Sequence, residues 1–118
     1  MRKISCIVAH HKGELVLSAI HTLLQSKYVI PEIIVATSVR EVNFHSVKTI
    51  YIQGGPARKR NIAFRFSSSD YIAFFDDDVE VKPTCLWEMA KVLDENPKCG
   101  MVFGKTLNFE RPTYFDEA

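Results

Sequence analysis

The chain of 118 residues has no long hydrophobic run, little glycine or proline, one tryptophan and a net charge of only +1. No apolar stretch approaches the ~20 residues that a membrane-spanning helix needs. The apolar run behind the basic Met1-Arg2-Lys3 breaks at His10-His11-Lys12, too soon for a signal peptide with its cleavage site. A cytoplasmic protein without a transmembrane segment is therefore expected. With 5 Gly, 5 Pro and 47% hydrophobic residues, the composition excludes a disordered or collagen-like chain. The three cysteines, Cys6, Cys85 and Cys99, form no Cys-x-x-Cys pair. That spacing argues against structural zinc and a disulfide framework, and Cys6 and Cys99 read as small buried hydrophobes. A broad basic surface interleaved with aromatics is also missing, so no nucleic-acid partner is expected.

What is present is patterned charge and alternating apolar segments. The first sixty residues hold nine Lys or Arg against three Asp or Glu, whereas the rest hold six against eleven. Such halves suggest a basic segment facing an acidic one. Short apolar runs at 4–9, 33–36, 47–52, 71–75 and 100–104 read as strands. Between them, the stripe Leu15, Val16, Ala19, Ile20, Leu23 and Leu24 marks a helix reaching about Ser26. Pro56 opens a second helix to about Phe66. Pro83 opens a third, with Leu86, Met89, Ala90 and Leu93 on one face and Trp87 and Met89 read as core; Asn96-Pro97 stops it. Pro31 is read as a break before the second strand. Strands with two apolar faces alternating with helices predict an α/β fold, a three-layer sandwich around a mostly parallel Rossmann-like sheet. The length suits one domain over 1–118.

Ligands of such sheets bind beyond the carboxyl ends of the strands. Three unusual segments fall there: Ala9-His10-His11-Lys12, the stretch from Gly54 to Asn61, and Asp76-Asp77-Asp78. Adjacent carboxylates repel, and a hard divalent cation with oxygen ligands relieves that repulsion while leaving positions for phosphate oxygens. The Gly54-Gly55-Pro56 loop ahead of Arg58-Lys59-Arg60 offers backbone N–H groups and a helix N-terminus to an anion. Neither Gly-x-x-x-x-Gly-Lys-Ser/Thr nor Gly-x-Gly-x-x-Gly is present. A basic anion site beside a cation site describes a diphosphate ligand. His10 and His11 point in different directions on a strand end, so at most one faces the ligand. His21 and His45 read as solvated.

Together, Ile7-Val8-Ala9-His10-His11-Lys12, Glu32-Ile33-Ile34-Val35-Ala36, Gly55-Pro56-Ala57-Arg58-Lys59-Arg60-Asn61 and Tyr71-Ile72-Ala73-Phe74-Phe75-Asp76-Asp77-Asp78 carry a resemblance over nearly the whole chain. The sequence resembles the N-terminal, donor-binding half of a family 2 glycosyltransferase with the GT-A fold. The resemblance implies transfer of a sugar from a nucleotide-diphosphate sugar with Mn²⁺ or Mg²⁺. Asp78 would then be the metal ligand, with Asp76 assisting it or contacting the ribose and Asp77 sharing one of these roles. Arg58, Arg60 and Asn61 would lie against the nucleotide, and Ala9, His10 and His11 would line the base pocket. Thr37-Ser38 stands where the family usually carries aspartates against the base, which makes Thr37 the candidate there. The acceptor-binding part is not found within 1–118. Glu110, Asp116 and Glu117 do not sit in a matching context, so no general base is assigned. The residues do not specify the acceptor, saccharide or lipid-linked. A non-catalytic nucleotide- or metal-binding module is the alternative. A receiver-like or phosphatase-like α/β domain using a carboxylate cluster with Mg²⁺ fits less well, because it places key acids after the first strand, where Ala9-His10-His11 stand. An open sheet edge raises the expectation of pairing with a second copy.

Overall fold

The computed structural model describes residues 1–40 and 42–104. Along them run β1 (Arg2–His10), α1 (Leu15–Leu24), β2 (Val29–Thr37), β3 (Lys48–Tyr51), α2 (Pro56–Phe64), β4 (Tyr71–Asp76) and α3 (Cys85–Glu95). Residues Met1–Trp87 form one compact unit, and a second begins at Glu88. The four strands make one sheet in the order β3-β2-β1-β4, and every neighbouring pair is parallel. The chain is thus α/β, as its pattern predicts.

Strand order fixes where the helices lie. From β1 the chain steps to β2 and β3, then crosses back past β2 and β1 to β4. Right-handed crossovers therefore put α1 and α2 on opposite faces. Side-chain alternation sorts the apolar residues accordingly. On the α2 side, Ile7, Ile34, Ala36, Ile52 and Ala63 form a buried cluster with Ile50, Ile62 and Ile72 packed on it. The opposite face, with Cys6, Val8, Ile33 and Val35, is left for α1, whose Val16, Ala19, Ile20 and Leu23 are buried. Each fully buried aliphatic side chain of this kind contributes roughly 1.5–3 kcal/mol.

The segment after β4 is tied back to α1. Ser18 Oγ donates to Glu80 Oε1 at 2.7 Å, Val81 N to Thr22 Oγ1 at 3.1 Å, and Lys27 N to Pro83 O at 2.7 Å. The Tyr28 and Trp87 rings meet edge-on at 5.5 Å. At the amino ends of the strands, Glu32 accepts from Ser5 Oγ at 2.6 Å and Ser68 Oγ at 2.9 Å, and pairs with Lys3 at 3.2 Å.

Four expectations need correction. Pro31 does not break β2; it lies inside the strand, opposite Ile4. β3 pairs with β2 only from Ile34 onward, so Pro31 sits where β2 is still an edge and no partner on that side requires its N–H. Residues 100–104 form no strand, and Met101 and Phe103 are 67% and 84% exposed. A three-residue apolar run between glycines gives a ladder too little to bury. Cys99 is exposed rather than a buried hydrophobe. Trp87 is 38% exposed, covering Tyr28 at the surface instead of filling the core.

Candidate functional site

The strand order reverses between β1 and β4, because the chain leaves β1 in one direction and reaches β4 from the other. A crevice at the carboxyl ends is expected at such a switch point. A cavity of about 430 Å³ lies there. Its walls are Ala9 near the end of β1 and His11 just after it, the Gly54-Gly55-Pro56 turn with Lys59 and Arg60 of α2, and Asp76 at the end of β4 with Asp77 and Asp78 after it. The three segments singled out from the sequence therefore converge, although they lie far apart along the chain.

The α2 wall carries hydrogen-bond donors and positive charge. Gly54 has φ +121°, a conformation that side chains rarely adopt, and a Cβ there would fall 2.6 Å from Arg58 Cδ. Gly55 then enters as an extended N-cap and Pro56 occupies the first turn. No side chain caps this helix end, so first-turn N–H groups remain available beside the positive end of the helix dipole. Arg60 Nη2 reaches Asp76 Oδ1 at 3.1 Å, while Arg60 Nε is buried without a hydrogen-bond partner. Basic and acidic segments thus meet across the sheet end, as the uneven charge distribution suggests.

Alternation decides which candidates reach the cavity. Ala9 and Asp76 are register partners on the α2 side of the sheet, and both line it. His10 and Thr37 are also register partners, one residue further along each strand and hence on the α1 side. They are 2% and 0% exposed and bind one another, His10 Nδ1 to Thr37 Oγ1 at 2.8 Å. His10 Nε2 lies 2.9 Å from the Gly13 carbonyl, which only accepts. For the neutral ring the proton is therefore assigned to Nε2, and Thr37 Oγ1 donates to Nδ1 while accepting from Val39 N at 3.0 Å. These two side chains brace the turn after β1, and the structure does not bring them to the cavity. Nor does it bring Arg58, which turns back to donate to the Gln53 carbonyl at 3.0 Å, or Asn61, which is exposed outside it.

Lys59 lines the cavity as well, although the motif pattern does not single it out. With Ile62 and Ala63 it occupies positions i, i+3 and i+4 of α2, the face turned to the sheet, and that spacing was the available signal. Asp76 ends β4, and Asp77 and Asp78 form the turn that follows. Among the described residues no three carboxylates, histidines or cysteines gather closely enough to hold a metal ion by themselves. A cation here would need ligand oxygens to complete its shell, as Mg²⁺ and Mn²⁺ commonly have from phosphates.

The family description "Glycosyl transferase family 2" matches residues 5–116. The chain belongs to that family. Among solved structures, S. aureus TarS 1–349 in complex with UDP superposes with a TM-score of 0.69 at 20% identity, covering 80% of this chain and 33% of that one. The same TarS fragment with UDP-GlcNAc gives 0.69 at 21% identity, over 80% and 32%. A further TarS 1–349 structure gives 0.66 at 17%, over 82% and 33%. These likenesses establish the GT-A fold of this family 2 chain, which spans about a third of the TarS fragment. No curated protein sequence matches it. No described helix is long and apolar enough to cross a membrane.

Proposed function

We propose that the cavity at the β1–β4 switch point binds the nucleotide diphosphate of a sugar donor, and that the chain is the donor-binding part of a glycosyltransferase. One observation carries this reading. An uncapped helix end with Arg60 and a run of three aspartates line one cavity, an arrangement suited to a diphosphate held between amides and a divalent cation. The UDP and UDP-GlcNAc held by TarS in the same fold support the ligand class.

Asp77 and Asp78, free of the Arg60 ion pair, are the carboxylates that would hold Mn²⁺ or Mg²⁺. The cation, when bound, supplies positive charge against the leaving diphosphate. First-turn amides of α2 and the exposed end of the Arg60 guanidinium then donate to phosphate oxygens. Asp76 fixes Arg60 in reach of them. Ala9 leaves room beside β1, where His11 offers a ring to the base. His10 and Thr37 hold that turn in place from behind. Transfer to a saccharide or lipid-linked acceptor belongs to the same reading.

Calorimetric titration of UDP, GDP and dTDP with and without Mn²⁺ tests it. Binding strengthened by Mn²⁺ is expected, with the strengthening abolished in Asp78→Ala. Absence of nucleotide binding, or binding indifferent to both Mn²⁺ and Asp78, refutes the donor site.

A further inference from the structure

The least expected side chain in the cavity wall is Lys59. It is 2% exposed, and among the described residues its ammonium has neither an ion pair nor a hydrogen-bond partner, although Asp77 and Asp78 line the same cavity. Asp76, which shares the cavity with it, is committed to Arg60 at 3.1 Å. Unlike Arg60 Nε, Lys59 Nζ is not sealed off: the apolar stem is packed away and the ammonium keeps water through the cavity that Lys59 lines. The positive end of α2 lies at the same place, so the charge gains nothing from the helix dipole.

We propose that Lys59 is a built-in phosphate-binding cation, so that anion binding in this cavity has a component independent of any divalent metal. The inference rests on the donor-site reading for the identity of the ligand, but not for its charge. Phosphate oxygens would accept from the ammonium on the α2 side, while the aspartates face them through a cation on the other. Loss of one charge-assisted hydrogen bond in such a site lowers affinity by about tenfold or more.

The probes are inorganic pyrophosphate and UDP, titrated into wild type, Lys59→Met and Lys59→Arg, in EDTA and in Mn²⁺. Wild type is expected to bind pyrophosphate weakly in EDTA and more tightly with Mn²⁺. Lys59→Met should lose at least tenfold in both conditions, and Lys59→Arg should recover part of the loss. Thermal melting supplies the control: ligand-free Lys59→Met should melt no lower than wild type, because no ion pair or hydrogen bond among the described residues is lost and methionine keeps an apolar stem of similar length. Its pyrophosphate-induced rise in Tm should be lost. A Lys59→Met protein that binds pyrophosphate as wild type does overturns the proposal. So does a fall in its ligand-free Tm together with lost binding, which would make Lys59 a residue of the fold. Wild type that binds only with Mn²⁺ overturns it too and leaves the donor site standing. Conversely, Lys59-dependent binding of pyrophosphate without any binding of UDP upholds the cation and defeats the donor reading.

Discussion

Glu32 offers the sharpest test of the energetics, because its whole environment is visible. It stands on β2, beside Ser5 of β1, on the side of the sheet that carries α2. Burial alone would raise its carboxyl. Hydrogen bonds from the Ser5 and Ser68 hydroxyls, from Lys3 and from the Ser68 backbone N–H outweigh burial and hold it down, from 4.5 to about 2. Such a depression corresponds to about 3 kcal/mol favouring the folded state. The side chain is 19% exposed, and solvent screening reduces the figure to about 1–2 kcal/mol. Since the folded value lies below the unfolded one, this stabilisation is complete above about pH 4.5 and disappears as the pH falls toward 2. Glu32→Gln keeps an acceptor for the serines but removes the charge. Urea unfolding at pH 7, 4 and 2.5 should show the variant about 1–2 kcal/mol less stable at pH 7, with the gap closing at the acid end. A gap that stays constant across that range, or a variant as stable as wild type at pH 7, refutes the account.

Three further outcomes follow from the same geometry. Gly54→Ala should cost about 1–3 kcal/mol by urea unfolding, since alanine is strained at φ +121° and its Cβ meets Arg58; an unchanged midpoint would show that the turn relaxes. Arg60→Ala removes an ion pair whose side chains are 38% and 68% exposed, so stability should stay within about 1 kcal/mol of wild type. Its affinity for UDP, by calorimetry, should nevertheless fall about tenfold. Iodoacetamide at pH 8 should label the exposed Cys99 but not Cys6, whose thiol burial pushes up to about 12; peptide mapping before and after denaturation checks this.

The parts of the structure that were legible in the sequence are those governed by local periodicity. The α1 stripe, the β-branched runs and the aspartates closing β4 each announce themselves within a dozen residues, and the parallel sheet follows from their alternation. Pro31 was misread because its tolerance depends on how far β3 extends along β2, a tertiary fact that a local rule does not contain. The 100–104 run was misread for the converse reason: apolar character alone does not supply a ladder partner.

At the site the same division holds at the scale of single residues. Motif position placed His10, Thr37, Arg58 and Asn61 together with Ala9, Arg60 and the aspartates, yet parity separates them. A shift of one residue along β1 or β2 exchanges the α2 face for the α1 face, so Ala9 lines the cavity while His10 is buried behind it. A 100° step along α2 does the same, turning Arg58 away and Lys59 inward. Reading a helix face together with the motif would have found Lys59, since positions 59, 62 and 63 are the ones that turn to the sheet. A charged residue at such a position keeps its water through the cavity, and that placement, more than membership of a basic cluster, marks Lys59 as part of the binding surface.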